Sequence, residues 1–196
     1  CRTLAWTRRG ARCGARWQPG PDTALGVGLS PLPGVLLLSN GEFSTAVTDG
    51  GSGLSKWNGL DLNAHKRDLL LDPSGVYVLL KESGGTAFSV TADPLRDHVA
   101  HRAEFTSASA VFTAVNAGLE AAMSVSVHGR IPAEVRVIKI GNTERRKKDA
   151  EMLIYLEPVL RDYREHYAHP AFSDLFVMCE YREAEKCLLV WRRGDV

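Results

Sequence analysis

Short apolar segments separated by turn residues recur along most of this chain, at a spacing of roughly eight to fifteen residues. The clearest is Leu119–Val127, where apolar residues alternate with small or polar ones, as in a strand with one buried face. Asn40-Gly41 separates Val35–Ser39 from residues 42–48 and predicts a hairpin. The other strand candidates are residues 76–81, 87–91, 100–106, 110–115, 135–140, 152–156, 175–181 and 188–191.

Helical periodicity is weak by comparison. The best candidate, residues 159–167, is short, and no amphipathic helix of about ten or more residues separates the strand candidates. Parallel βαβ units require such helices, so the pattern predicts a mainly all-β fold, an antiparallel β-sandwich. The length of 196 residues suits one large domain.

Residues 1–34 have a different composition, with arginines among Gly, Ala and Trp, followed by prolines, and with neither a helical nor a strand period. We predict an irregular basic and Pro-rich arm over residues 1–34 and a β-sandwich domain over residues 35–196. A loosely docked arm and an RNA-binding arm are the alternatives for the first segment, since basic residues beside aromatics can hold a single strand.

Charge and cysteine content narrow the class of protein. The formal net charge is +1, from 24 basic and 23 acidic residues, so we expect no nucleic-acid partner. No apolar run approaches the roughly 20 residues of a membrane span. Four cysteines are too few for a disulfide scaffold, and we interpret Cys179 and Cys187 as reduced and buried in a cytoplasmic protein. We interpret the basic run at 145–148 as a solvated hairpin tip.

Motifs for metal binding and for common catalytic chemistry are weak. His98 and His101 would lie on opposite faces of a strand, and no Cys-x-x-Cys supports zinc. The glycine-rich run at 50–53 lacks the Lys-Ser/Thr of a phosphate loop and is interpreted as a tight loop. We therefore predict no metal, no cofactor and no catalytic residue in this chain. Carboxylates that glycoside chemistry could use are Glu104, Glu120, Glu134, Glu157, Asp162 and Asp174.

Aromatic side chains are the best candidates for ligand binding, because a sugar ring can stack its C–H face on them. The wider set is Trp57, Tyr77, Tyr155, Tyr163, Tyr167, Phe172 and Phe176, and core packing is the alternative for each. A dense cluster, Tyr163, His166, Tyr167, His169 and Phe172, lies in a Pro-bounded segment between strands. From these we predict five substrate-binding residues: Trp57, Tyr163, Tyr167, His169 and Phe172.

Several motifs occur in the order typical of one family. They are Leu37-Leu38-Ser39-Asn40-Gly41, Gly50-Gly51-Ser52-Gly53-Leu54-Ser55-Lys56-Trp57, Glu134-Val135-Arg136, Glu157-Pro158-Val159-Leu160 and His169-Pro170-Ala171-Phe172-Ser173-Asp174-Leu175-Phe176-Val177. On these motifs the chain resembles the N-terminal supersandwich domain of glycoside hydrolase family 94 (glycosyltransferase family 36), as in cyclic β-1,2-glucan synthases and β-glucan phosphorylases. Ala64-His65-Lys66-Arg67-Asp68 departs from the family's Arg-Trp-Arg-x-Asp pattern.

The resemblance implies a galactose-mutarotase-like sandwich, present here in part. It also implies a following (α/α)6 barrel, absent from this chain, that carries the catalytic acid and uses inorganic phosphate or a sugar phosphate as substrate. We expect a non-catalytic domain that binds a β-glucan oligosaccharide, shapes the active site and forms a homodimer. An independent carbohydrate-binding module and a ligand-free structural or dimerising sandwich are the alternatives.

Overall fold

The computed structural model of the chain describes residues 4–9, 25–27, 34–65 and 73–194, the first two ranges as backbone only. The strands are β1 Leu4–Arg9, β2 Leu25–Val27, β3 Val35–Ser39, β4 Phe43–Thr48, β5 Gly53–Trp57, β6 Leu60–Asn63, β7 Tyr77–Glu82, β8 Phe88–Ser89, β9 Ala100–Phe105, β10 Ala110–Asn116, β11 Leu119–Val127, β12 Glu134–Asn142, β13 Ala150–Leu156, β14 Pro158–Arg161, β15 Val177–Arg182 and β16 Cys187–Arg192. Two short helices, α1 Tyr163–Ala168 and α2 Pro170–Asp174, lie between β14 and β15.

The strands form three sheets and one separate hairpin. The sheet orders are β1-β13-β7-β8, β12-β11-β10-β9-β2 and β14-β6-β5-β4-β3, and β15 pairs with β16. Every strand pair among the described residues is antiparallel. The predicted all-β antiparallel sandwich is therefore confirmed.

One hydrophobic core joins the three sheets. The β12-β11-β10-β9-β2 sheet contributes alternate residues such as Phe112 and Met123, and these pack with Leu80 of β7 and Val47 of β4. Burying such a side chain stabilises the fold by roughly 1.5–3 kcal/mol. The alternation predicted for β11 arises because its inward positions belong to this core.

The β7–β13 pair has an apolar surface on both faces. Val78 and Leu80 of β7 belong to the core, together with Met152 and Ile154 of β13. The alternate residues, Tyr77, Leu79, Leu153 and Tyr155, point the other way and line a cavity. The antiparallel register pairs Leu79 with Leu153 and Tyr77 with Tyr155 across the two strands. This second face positions the candidate site.

The Asn40-Gly41 hairpin is confirmed, with a different turn from the two-residue type that the dipeptide favours. Only Gly41 of the pair has a positive φ, at 95°. Asn40 instead accepts hydrogen bonds from the backbone of Glu42 at 3.1 Å and of Phe43 at 2.8 Å through its Oδ1. Its Nδ2 donates to the carbonyls of His128 and Ile131, which ties this turn to the loop before β12.

Three sequence interpretations need correction. The arm predicted to be irregular contains two strands, β1, which pairs with β13, and β2, which pairs with β9. Pairing at the edge of a sheet uses only backbone N–H and C=O groups, so it needs no apolar pattern in the sequence. Residues 145–148 are not a hairpin tip, because β12 and β13 lie in different sheets and the Lys148 side chain, 1% exposed, lies between Glu82 and Glu144. Cys187 is exposed rather than buried. The division of the chain at residue 34 stays a prediction.

The helical prediction for residues 159–167 is only partly right. Residues 158–161 form β14, which pairs with β6, and α1 begins at Tyr163. Asp162 ends the extended segment and caps α1, accepting a hydrogen bond from the Arg164 backbone N–H at 2.9 Å. Helix α2 begins at Pro170, a position that tolerates proline because its missing N–H would have no intrahelical partner.

Candidate functional site

A cavity of about 560 Å³ lies on the second face of the β7–β13 pair. We call it the aromatic cavity. Tyr77, Leu79, Leu153 and Tyr155 line one part of it, and residues of the α1–α2 segment and of β15 line another. The other lining residues are Ala64, His65, Pro73, Ser74, Gly75, Pro94, Glu157, Pro158, Val159, His166, Tyr167, Pro170, Asp174 and Val177. Its size falls within the range of small-molecule pockets, and its mixture of aromatic and polar groups is typical of them.

Tyr167 is held in the cavity wall by three neighbouring rings. Its ring centroid lies 4.4 Å from that of Tyr163, 5.1 Å from that of His166 and 5.9 Å from that of His65. His65 in turn stacks on Tyr163, with centroids 4.9 Å apart and planes 24° apart. Such ring pairs add about 0.5–1.5 kcal/mol each beyond area burial, so the orientation of Tyr167 is fixed before any ligand arrives.

His65 is oriented by a buried carboxylate. Asp61, 2% exposed, accepts from His65 Nε2 at 2.9 Å and binds Lys56 Nζ at 2.8 Å. Asp61 belongs to β6, which pairs with β5 and β14, so the sheet itself fixes this carboxylate. The arrangement links a strand of the sandwich to the rings of the cavity.

His166 connects the two short helices. Its Nδ1 lies 3.1 Å from Ser173 Oγ, and Arg192 of β16 donates to the Ser173 carbonyl at 2.9 Å. Burial lowers the pKa of His166, an effect that Asp174 opposes and Arg192 reinforces. The folded α1–α2 segment therefore favours the neutral form of the His166 imidazole.

Tyr77 and Tyr155 put hydroxyl groups beside the cavity. The Tyr77 hydroxyl lies 3.2 Å from Ser52 Oγ, which donates to Asp93 at 2.7 Å. Burial raises the pKa of Tyr77 to about 12, the hydrogen bond with Ser52 opposes this shift, and Asp93 adds to it. The Tyr155 hydroxyl donates to the Glu157 carboxylate.

Burial and the neighbouring Tyr163 raise the pKa of Tyr167 to about 12 as well. The phenols of Tyr77 and Tyr167 therefore stay protonated near neutral pH.

The glycine-rich run at 50–53 supports this wall from behind. A Cβ on Gly51, which has a φ of +93°, would lie 2.3 Å from Thr91 Cβ, and one on Gly50 would lie 2.8 Å from Asp93 Oδ2. The loop packs against the polar network under Tyr77, so close approach of the backbone accounts for both glycines. The tight-loop interpretation agrees with this packing.

Comparison with known proteins gives the family. A model of the glycosyl hydrolase 94 supersandwich domain matches residues 28–195. The chain belongs to this family. Over 165 residues this supersandwich domain is also 30% identical to the cyclic beta-(1,2)-glucan synthase NdvB of Rhizobium meliloti (strain 1021). That match covers 82% of the chain and 5% of the relative, so the chain spans only a small part of the synthase's length.

The structure brings only part of the predicted binding set to the aromatic cavity of the supersandwich domain. Tyr167 lines it, and Tyr163 lies directly behind Tyr167. His169 separates α1 from α2 and is exposed, and Phe172, 57% exposed, is not among the lining residues. Trp57 ends β5 and is 40% exposed outside the lining. The binding roles of all five residues stay predictions.

Three lining residues, His65, Glu157 and Asp174, were not among the predicted binding residues. Their carboxylates and imidazole carry no pattern of their own, although Glu157 and Asp174 were among the six carboxylates named for glycoside chemistry and do line one cavity. The Asp61–His65 contact had no signal in the sequence either, because residues four apart meet on a helix and Asp61 lies on a strand. Lys66, Arg67 and Asp68 of the departing motif lie outside the described residues.

Two further properties concern ions and membranes. Within residues 34–65 and 73–194, no group of three or more His, Cys, Asp and Glu side chains is arranged to hold a metal ion. Neither helix described here has the length and apolar character needed to cross a membrane.

Proposed function

We propose that this supersandwich domain binds β-glucan oligosaccharides in the aromatic cavity. The observation that carries the proposal is the juxtaposition of an oriented tyrosine ring, Tyr167, with the carboxylates of Glu157 and Asp174 in one cavity. A sugar ring has apolar C–H faces that suit an aromatic ring and a rim of hydroxyls that carboxylates accept. The relative's name, cyclic beta-(1,2)-glucan synthase, supports a glucan as the ligand.

The proposed role is non-catalytic. In this role the domain adjoins an (α/α)6 barrel of a β-glucan phosphorylase or cyclic β-1,2-glucan synthase-like enzyme in the cytoplasm, and the barrel supplies the catalytic acid. Inorganic phosphate or a sugar phosphate is then a substrate of the barrel, and the sandwich needs no cofactor. Phosphate-dependent release of glucose 1-phosphate by this chain alone would contradict this role.

The surface of α2 supports contact with such a neighbour. Phe172 and Leu175 lie three residues apart on α2 and at its end, and are 57% and 67% exposed. Neighbouring exposed apolar residues can form part of a contact surface. Because α2 is part of the cavity wall, a partner docked on it would lie beside the bound glucan, which is how the domain would shape an active site.

Isothermal titration calorimetry with linear β-1,2-glucan oligosaccharides tests the binding proposal. We expect Tyr167→Ala to weaken binding roughly tenfold or more, a loss of about 1.4 kcal/mol. Tyr181→Ala, which removes an exposed tyrosine of the β15–β16 hairpin, is the matched control and should bind like wild type. Thermal unfolding of each variant separates lost binding from lost folding.

The Trp57→Ala variant tests whether the glucan binds in the aromatic cavity or at the end of β5. We expect unchanged affinity, since Trp57 lies outside the cavity lining. Loss of affinity in Trp57→Ala with full affinity in Tyr167→Ala would move the site to the end of β5. Absence of glucan binding by the wild-type chain would contradict the proposal.

A structural or dimerising sandwich is the second candidate. It is favoured by exposed apolar residues on the two edge strands β3 and β12, namely Val35, Leu37, Val135 and Val137. Sedimentation equilibrium of the chain tests it: a dimer that Leu37→Lys or Val137→Lys dissociates supports this candidate, and a monomer at all concentrations contradicts it.

A further inference from the structure

The cavity carboxylates bear on which saccharides the site accepts. Glu157 directly follows β13, and its backbone carbonyl accepts from Ala64 N–H at 2.7 Å, which joins two parts of the lining. Its side chain is half-buried and accepts from the Tyr155 hydroxyl. Ala64 fixes the backbone of Glu157 and Tyr155 fixes its Oε1 atom. The carboxylate therefore has a defined orientation in the lining.

Asp174 is the second carboxylate of the lining. It ends α2 and lies close enough to His166 to act on its charge state. It is half-buried, and it belongs to the α1–α2 segment while Glu157 belongs to the β13–β14 connection. Two separate segments of the chain therefore contribute hydrogen-bond acceptors to the cavity lining.

Positive charge is scarce in the same lining. Its described residues include three tyrosines, two histidines and two carboxylates, and no lysine or arginine. The cations nearby are engaged elsewhere: Lys56 pairs with Asp61, and Arg192 donates to the Ser173 carbonyl. A ligand that carries a phosphate would meet carboxylates without a compensating cation in this part of the wall.

On the basis of the proposed function, we infer that the aromatic cavity selects uncharged, hydroxyl-rich saccharides and discriminates against phosphorylated ones, with Glu157 and Asp174 as the specificity-determining residues. Sugar hydroxyls donate to carboxylates in charge-assisted hydrogen bonds, whereas a phosphate group is repelled by them. The site thus combines attraction of a neutral glucan with rejection of a sugar phosphate.

The test compares a β-1,2-linked glucose disaccharide with the same disaccharide carrying one phosphate ester, by calorimetry on the full chain. We expect wild type to bind the neutral sugar at least tenfold more tightly, and this ratio to shrink as salt is added, since salt screens the repulsion. In Glu157→Gln and Asp174→Asn, which keep an acceptor oxygen and remove the charge, the ratio should fall at least threefold.

The matched control is Glu183→Gln. Glu183 is an exposed carboxylate in the β15–β16 turn, so this variant changes the net charge equally without altering the cavity, and its binding ratio should equal that of wild type. Thermal unfolding of all three variants confirms that each is folded before the ratios are compared.

The outcomes separate this inference from the proposed function. Binding of neither disaccharide nor longer glucans would contradict the proposed function itself. Equal binding of the two disaccharides would overturn only the selectivity. Tight binding of the phosphate ester would also overturn the selectivity. If a Lys66→Met/Arg67→Met variant lost that binding, these two cations, which lie outside the described residues, would be the groups that bind the phosphate.

Discussion

The two faces of the β7–β13 pair come from alternate residues of the same strands and have different chemistry. The core face consists of Val78, Leu80, Met152 and Ile154, side chains without hydrogen-bonding hydroxyls. The cavity face consists of two leucines and two tyrosines, whose hydroxyls bond to Ser52 and Glu157. The core face can stabilise the fold only through burial of apolar surface. The cavity face combines apolar surface with hydroxyl groups that hydrogen-bond to neighbouring side chains.

The difference shows how a binding surface is added to a sandwich without lengthening it. A strand buried on one face needs only every second residue for the core, so the remaining positions are available for a ligand. In β7 and β13 both sets are apolar, and the strands appear in the sequence as continuous apolar runs rather than alternating ones.

The largest expected effect is on the core face. Leu80→Ala removes a fully buried side chain and should lower the free energy of unfolding by about 2–5 kcal/mol, through lost burial and the cavity left behind. Leu79→Ala, its neighbour on the half-buried cavity face, is the matched control and should cost less. Urea unfolding measures both; equal losses would contradict the division of β7 into two faces.

The cavity face should show its effect at alkaline pH. The pKa of Tyr77 is about 12 in the folded state and near 10 when unfolded, so the unfolded chain releases this proton first. Stability should therefore fall as pH rises from 10 to 12. Tyr77→Phe should lose roughly 1 kcal/mol at pH 7 for the missing hydrogen bond and then show a shallower decline between pH 10 and 12. An identical decline in both proteins would contradict burial of this phenol.

The smallest effect is expected at acid pH, in the α1–α2 segment, which also lines the cavity. Since burial lowers the pKa of His166, the unfolded chain takes up this proton first as pH falls below 6.5, and stability decreases toward the folded pKa. The charged groups acting on His166 are Asp174, Arg192, Asp61 and His65. His166→Gln, whose amide can still bond Ser173, should be less sensitive between pH 7.5 and 5.5.

A neighbouring histidine provides the comparison for that experiment. His169→Gln replaces an exposed histidine three residues away and should retain the acid sensitivity of wild type. Should His169→Gln lose the sensitivity and His166→Gln keep it, the buried imidazole would not be the group that responds.

Most of the fold was predictable because most strands bury apolar residues at every second position, as β11 does. Strands β5 and β6 were missed for the opposite reason: their buried residues are small or polar, namely Gly53, Ser55, Asp61 and Asn63. Asn63 bonds to the Ser55 backbone at 2.8 Å and to the Gly53 carbonyl at 3.0 Å, so hydrogen bonds replace the apolar pattern. Partners of this kind are known only once the chain is folded.

The site was predictable where residues cluster in sequence and not where they converge in space. Tyr163 and Tyr167 stood out because aromatics are dense in one short segment, and the structure places them at and behind the cavity wall. His65 and Glu157 are single residues from distant segments, joined through the Ala64–Glu157 backbone hydrogen bond. No local signal distinguishes them from ordinary surface groups.

The central claim is that a glucan occupies the aromatic cavity. A ¹H–¹³C NMR titration of the aromatic side chains with a linear β-1,2-glucan oligosaccharide tests it most directly. We predict saturable shifts of Tyr167, Tyr77, Tyr155, His65 and His166, with Trp57, Tyr181 and Trp191 unchanged. Shifts confined to the tryptophans, or an unaltered spectrum at millimolar oligosaccharide, would contradict it.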